Sequence, residues 1–69
     1  MSNLIKEELR PYILEALQNI NHEPKNMVMI FEKPRKNFHE KGNALWWLVE
    51  NGFVKMKEDE ESGIVFYYI

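Results

Sequence analysis

The stretch from Asn43 to Ile69, NALWWLVENGFVKMKEDEESGIVFYYI, decides the fold of this chain. Its first part carries apolar residues at helical spacing. Gly52 then suits the left-handed end of a helix, with Phe53 folding back against Leu48 in a Schellman-type cap. Beyond the glycine, apolar residues alternate with lysines, and a polar turn at Glu58 to Gly63 precedes a run of β-branched and aromatic residues. The stretch therefore predicts a helix, a glycine stop and a C-terminal β-hairpin.

The predicted helix has two alternative starts. Asn37 and Glu40 have the spacing of a capping box, in which the Asn oxygen accepts a bond from the Glu40 amide and the Glu side chain reaches back. In the alternative, Asn43 is the cap and Phe38 to Gly42 forms a turn. In both cases the helix ends before Gly52.

A helical projection at about 100° per residue gives this helix one apolar face. The residues on or beside that face are Phe38, Gly42, Leu45, Leu48 and Val49. A glycine on an inward face lets a second backbone approach closely, which is the role we expect for Gly42. In the same projection Trp46 lies at the edge of the core, whereas Trp47 points away from it.

The N-terminal part of the chain predicts another amphipathic helix. Its apolar residues recur at intervals of about three and four and so share one face; they are Ile5, Leu9, Tyr12, Ile13, Ala16, Leu17 and Ile20. Ser2 or Asn3 is expected to cap the start of the helix. Pro11 interrupts the pattern without shifting its phase, so we expect a kinked or two-part helix that ends near Asn21.

Two short segments lie between these helices. Asn21 to Asn26 is a predicted connector, in which Pro24 breaks regular structure. Met27 to Lys33, which Pro34 ends, fits either a short helix or a buried strand. Both alternatives stay open, because so short an apolar segment satisfies either periodicity.

Composition indicates one small intracellular domain. The chain has 69 residues, 45% of them hydrophobic and 13% aromatic, which predicts a single domain over residues 1–69 with an adequate core. Cysteine is absent, which excludes disulfides and thiolate metal sites. The longest apolar run, Ala44 to Val49, is far shorter than the roughly 20 residues of a membrane span. The N-terminus shows no basic-then-apolar signal pattern, and we expect a cytoplasmic protein that does not bind membranes.

Charge is unevenly distributed along the chain. Residues 33–41 hold four basic side chains against Glu40 alone, a local excess of +3, although the net charge is −2 and the pI is about 5.6. The densest acidic block is Glu58, Asp59, Glu60 and Glu61. The basic segment indicates a phosphate-binding surface, whereas the acidic pI argues against strong nonspecific binding to nucleic acid.

The C-terminal stretch resembles the winged helix-turn-helix family. The resemblance lies in Leu45-x-x-Leu48-Val49-x-x-Gly52-Phe53-Val54-Lys55, followed by a polar turn and the apolar run Ile64 to Ile69. It implies an α+β fold of about three helices followed by a C-terminal β-hairpin wing. It also implies that Met27 to Lys33 holds a short second helix, after one or two extended residues.

The resemblance further implies a DNA-binding regulator of transcription. We expect it to act as a dimer, because dimerisation would double the phosphate contacts that one small acidic copy can make. In this family the recognition helix enters the major groove, and the wing touches the backbone or the minor groove. Carried over by position, the residues that would contact bases are Asn37, His39, Glu40 and Asn43. The residues that would contact phosphate are Lys33, Arg35, Lys36 and Lys41.

Two features depart from a DNA-binding winged helix and support an alternative function. The predicted wing tip carries Glu58, Asp59, Glu60 and Glu61 where lysine or arginine would meet phosphate. The outer face of the predicted recognition helix also holds Trp47 and Glu50. The alternative is a protein-interaction module, an inhibitor or adaptor of the kind that phages and other mobile elements encode. Its binding surface would be Trp47, Glu50 and the acidic wing.

Catalytic and metal chemistry is not indicated. His22 and His39 stand alone, hydroxyl side chains are few, and the glycines do not form a phosphate-binding loop. The consecutive carboxylates of the acidic block lack the alternating ligands of a calcium loop. We therefore expect neither an enzyme nor a bound metal or cofactor.

The apolar end of the chain bears on assembly. The last predicted strand finishes with Tyr67, Tyr68 and Ile69, and terminal residues fray unless packing holds them. This strand is therefore expected either to occupy an inner position in the sheet or to pair with a strand of a partner. A homodimer through this edge, or through the first helix, is one form of the second alternative.

Overall fold

The chain folds into three helices followed by a β-hairpin, in a computed structural model that describes residues 7–69. In chain order the elements are a 3₁₀ turn (Glu7–Leu9), helices α1 (Arg10–Asn19), α2 (Met27–Ile30) and α3 (Phe38–Glu50), and strands β1 (Lys55–Glu58) and β2 (Val65–Tyr68). The predicted α+β class is confirmed, and the element order is consistent with a winged helix. Within residues 7–69, no helix has the length and apolar character needed to cross a membrane.

Helix α1 follows directly from the 3₁₀ turn, and Pro11 lies in its first turn. The first amides of an α-helix have no intrahelical partner, so a proline there begins the helix without kinking it. The apolar stripe packs inward at Leu9, Ile13, Ala16 and Ile20. Leu17, which the pattern assigned to the same face, is 41% exposed. The predictions for Ser2, Asn3 and Ile5 lie outside the described residues.

The segment after α1 contains one bridging residue and a short helix. The Lys25 amide donates to the Tyr67 carbonyl at 3.0 Å, and the Tyr67 amide donates to the Lys25 carbonyl at 2.8 Å. Asn26 then caps α2, because its Oδ1 accepts a hydrogen bond from the Met29 amide at 3.0 Å. The open question about Met27 to Lys33 is therefore settled in favour of a helix at its start.

Strand β2 makes backbone hydrogen bonds on both sides, although β1 is its one strand partner in the two-stranded sheet of residues 7–69. It pairs with β1 in antiparallel register, with Glu58 opposite Val65, and Lys25 bridges to its other side. The Ile69 amide continues that second side by donating to the Asn21 carbonyl at 2.9 Å. Backbone bonds on both sides thus hold the apolar end of the chain.

Helix α3 buries a different face from the one projected. Its buried residues are Lys41, Ala44, Leu45 and Leu48. Phe38, which the projection placed inward, is 57% exposed. Gly42 does not admit a second backbone, because a Cβ built on it would meet no atom of the described residues within 4 Å. The inward face is therefore rotated by about a quarter turn from the projected one.

The end of α3 forms the predicted Schellman cap. Gly52 has a φ of 78°, its amide donates to the Val49 carbonyl at 3.1 Å, and the Phe53 amide donates to the Leu48 carbonyl at 3.0 Å. The Phe53 ring then stacks on Trp47, with the ring centroids 5.8 Å apart and the planes at 13°. This cap sets the direction in which the chain leaves α3 for the hairpin.

The core lies between α1, α3 and the segment that follows α2. Its buried apolar residues are Leu9, Ile13, Ala16, Ile20, Ile30, Phe31, Ala44, Leu45, Leu48 and Val54. Tyr67 packs against this cluster from β2. Because α1 and the 3₁₀ turn before it pack against the inner face of α3, the opposite face of α3 is left to the solvent.

Candidate nucleic-acid interface

The outward face of α3 carries a continuous stripe of exposed side chains. His39, Asn43, Trp46 and Glu50 follow one another at helical spacing and all four are exposed. They lie opposite the buried residues of the same helix. Two of the predicted base-contacting residues, His39 and Asn43, therefore share one surface in the N-terminal half of α3.

A basic turn adjoins the N-terminal end of this stripe. Lys33, Arg35 and Lys36 are exposed in the segment between α2 and α3. The Lys36 amide donates to the Lys33 carbonyl at 3.1 Å, which closes the turn. We call Lys33 to Lys36 the basic turn. Three of the four predicted phosphate contacts thus lie together on an accessible segment that leads into α3.

Lys41, the fourth predicted phosphate contact, lies in the interior. Its side chain is only 4% exposed, and its Nζ donates a hydrogen bond to the Lys33 carbonyl. The same ammonium lies 5.4 Å from the centroid of the Phe31 ring and 5.8 Å from that of Tyr12. A cation held between a carbonyl and two aromatic faces is satisfied without a carboxylate. Lys41 therefore supports the basic turn from the interior. The prediction that Lys41 is exposed and available to contact a DNA phosphate is wrong.

Asn37 has a different role from the predicted capping box. Its φ is 53°, in the left-handed region that asparagine tolerates better than most residues. Its Nδ2 donates to the Tyr12 hydroxyl at 2.5 Å, and its side chain makes no capping bond within residues 7–69. Glu40, the proposed partner in the box, is half-buried and lies off the outward stripe. Asn37 therefore connects the basic turn to α1.

The two tryptophans of α3 exchange the positions expected from the sequence. Trp47 is half-buried and packs against the core, and its Nε1 is buried without a hydrogen-bond partner among residues 7–69. Trp46 is 54% exposed and lies on the outward stripe. The spacing of Ala44, Leu45 and Leu48 carried the correct phase of the helix. The projected face was displaced from this phase because Phe38, a large apolar residue, was counted as part of it.

The acidic block forms the tip of the hairpin as predicted. Glu58, Asp59, Glu60 and Glu61 are all exposed. The Ser62 hydroxyl donates to the Asp59 carboxylate at 2.7 Å, and the Gly63 amide donates to the Asp59 carbonyl at 2.7 Å. Gly63 has a φ of 73°, a conformation that favours glycine. In the described part of the chain, no group of three or more His, Cys, Asp or Glu side chains is arranged to hold a metal ion.

Glu50 closes the outward stripe at its C-terminal end. Together with Trp46 it gives this half of the helix an aromatic and acidic surface, unlike the polar surface around His39 and Asn43. The stripe therefore has two chemically different halves. The basic turn borders only the N-terminal half.

Comparison of this chain with models of protein families, with curated proteins and with solved structures finds no match. Function is therefore inferred from the arrangement of the side chains described above.

Proposed function

We propose that this protein is a DNA-binding winged-helix domain that uses α3 as its recognition helix and acts in transcriptional regulation. The observation that carries the proposal is the position of the exposed basic turn directly before α3, whose N-terminal half exposes His39 and Asn43 on the outward stripe. The order helix, bridging residue, short helix, long helix and hairpin supports it, because winged-helix domains have this order.

Each part of this surface has a chemistry that suits one part of DNA. Lys33, Arg35 and Lys36 would bind phosphates, and the positive end of the α3 dipole lies beside them. Asn43 would pair with adenine through its amide, and His39 would hydrogen-bond a base edge. Phosphate contacts set the position of the helix on the duplex, and base contacts select the sequence.

The acidic hairpin tip sets a condition on the geometry of the complex. Carboxylates near phosphates oppose binding, so the tip of the wing has to point away from the duplex. The net charge of −2 also means that one copy binds DNA weakly outside its site. A dimer would place two basic turns on one duplex and double the phosphate contacts.

Fluorescence anisotropy of a labelled random-sequence duplex tests the proposal. Three released counterions predict a slope of about −2.7 in log affinity against log salt. Affinity should therefore fall about 40-fold between about 50 and about 200 mM salt. Absence of binding at the lower salt would contradict phosphate contact by the basic turn.

A second candidate function rests on Trp46. An exposed tryptophan at the centre of a helix face, followed by Glu50, is typical of an anchor in a protein interface. In this case the protein would be an inhibitor or adaptor. Trp46→Ala would then abolish binding to the partner, whereas Arg35→Gln and Lys36→Gln would leave it unchanged. The opposite pattern would favour DNA.

A further inference from the structure

An open apolar groove lies on the side of the molecule where α2 meets the hairpin. Its volume is about 460 Å³, and it is lined by Met27, Val28, Phe38, Ile64, Val65 and Tyr67. The groove lies apart from the outward stripe of α3, because Phe38 belongs to a different side of the helix. Phe38 and His39 are nevertheless neighbours, with ring centroids 6.0 Å apart in an edge-to-face arrangement.

The walls of the groove expose large apolar side chains. Val28 is 69% exposed, Phe38 57% and Ile64 43%. They line one depression, together with the half-buried side chains of Asn26, Met27 and Tyr67. Apolar side chains that meet around a concave surface gain free energy when a partner covers them, which scattered exposed residues do not.

The hairpin side of the groove is acidic. Glu58 is directly opposite Val65, and residues opposite each other in a sheet project from the same face. The Asp59 amide donates to the Ile64 carbonyl at 2.8 Å, so the turn that carries the other acidic residues begins beside a residue of the groove. Among residues 7–69 Lys25 forms no ion pair with the acidic block, and its Nζ donates instead to the Asn19 carbonyl at 2.9 Å, at the end of α1.

We propose that this groove binds an amphipathic basic segment of a partner protein. The apolar side chains of this segment would lie between Val28, Phe38 and Ile64. The lysines or arginines of the segment would lie beside the acidic block Glu58 to Glu61. The charge of the rim selects this occupant, because an acidic segment or a nucleic acid would be repelled there. This surface is independent of the DNA-binding proposal, so either can fail without the other.

Two synthetic amphipathic helices of about 14 residues, each about four turns long, provide the probe. Both carry leucines on one face, and they differ only in having lysine or glutamate on the other. We expect the lysine helix to bind at least about tenfold more tightly at low salt, with the preference shrinking as salt screens the acidic rim. In two-dimensional amide NMR spectra its signal shifts should concentrate at Val28, Phe38, Ile64 and Val65.

Variants with matched exposure locate the binding surface. Ile64→Ser should weaken binding of the lysine helix about fivefold or more, since one wall of the groove loses its apolar side chain. Leu17→Ser is the control, because Leu17 is 41% exposed against 43% for Ile64 and does not line the groove. Val28→Ser provides a second groove variant should Ile64→Ser lower stability. Glu58→Gln with Glu60→Gln should remove most of the preference for lysine.

Several outcomes would overturn the proposal. These are equal affinity for the two helices, shifts that fall outside the groove, or a Leu17→Ser effect as large as that of Ile64→Ser. Concentration-dependent shifts at the groove in the protein alone, with a dimer in sedimentation, would assign the groove to a second copy of the chain instead. Anisotropy with duplex DNA on Ile64→Ser, expected to match the wild type, keeps this test separate from that of DNA binding.

Discussion

The Lys41 ammonium donates a hydrogen bond to the Lys33 carbonyl from beneath the turn that Lys33 begins. Lys41 thus stabilises the backbone of the turn on which the Lys33 side chain is exposed. Lys41 is only 4% exposed, and the rings of Phe31 and Tyr12 face its charge. The shape of the basic turn therefore depends on a residue that the solvent, and a ligand, do not reach.

Lys41 should matter for stability and Lys36 for binding. Lys41→Ala leaves a cavity and removes one of the two hydrogen bonds to the Lys33 carbonyl, so we expect a loss of about 2 kcal/mol or more in the free energy of unfolding. Lys36→Ala, on the surface, should stay within about 0.5 kcal/mol of the wild type. Urea unfolding followed by circular dichroism measures both. Equal small effects would mean that the Lys41 contacts do not stabilise the fold.

The basic turn should account for the salt dependence of DNA binding. Lys36→Gln removes one phosphate contact and should reduce the slope of log affinity against log salt by about 0.9. Lys55→Gln is the matched control, because it makes the same charge change at an exposed position on β1. Anisotropy titrations at several salt concentrations give both slopes. A slope that changes equally in the two variants would indicate that only net charge matters.

Gly42→Ala should stabilise the protein. Gly42 lies within α3, and a Cβ there meets none of the described residues, so alanine gains helix propensity without a clash. We expect a gain of about 0.5–1 kcal/mol, equivalent to several degrees in Tm. Gly52→Ala is the contrasting variant, because Gly52 has equal space but a φ of 78°, and it should be destabilised. Thermal unfolding compares the two.

Substitutions of Trp46 and Trp47 should have opposite effects on the fluorescence of the protein and unequal effects on its stability. With Trp47→Phe the remaining Trp46 should emit at longer wavelength and be quenched readily by acrylamide. With Trp46→Phe the remaining Trp47 should be shielded by Phe53 and the core. Trp47→Ala should cost about 2 kcal/mol of stability, and Trp46→Ala less than about 0.5 kcal/mol. Protection of Trp46 from quenching by added duplex would locate DNA on the outward stripe.

Tyr67 should make stability depend on alkaline pH. Burial raises the pKa of the Tyr67 phenol above its ordinary value of 10.0, because the folded state disfavours the phenolate. The difference in pKa between the folded and unfolded states contributes to the free energy of unfolding. This contribution is fully present below about pH 10 and is lost as pH rises through the higher pKa of the folded state. Tyr67→Phe should lose less stability than the wild type over that range, while Tyr68→Phe behaves as the wild type. Urea unfolding at successive pH values tests this, and identical profiles for all three would contradict it.

Features of this protein that depend on neighbouring residues alone could be predicted from the order of its amino acids. The Schellman cap at Gly52 needs one glycine and the amides beside it, and the hairpin needs alternation and a polar turn, so both were predictable. The apolar stripe that runs from Leu9 in the 3₁₀ turn to Ile13 and Ala16 in α1 was predictable for the same reason. These patterns are local, and the physical rule that each one follows requires no knowledge of the rest of the chain.

The orientation of α3 and the contacts of its first residues depend on packing between distant parts of the chain. Apolar residues occur around much of that helix, so its period fits more than one phase, and packing against α1 selects the one that buries Ala44. That choice turns Trp46 outward and draws Lys41 inward to the Lys33 carbonyl. Asn37 is likewise bonded to Tyr12, far away in the sequence. The basic turn was visible in the chain, but its support comes from side chains that only the folded core brings together.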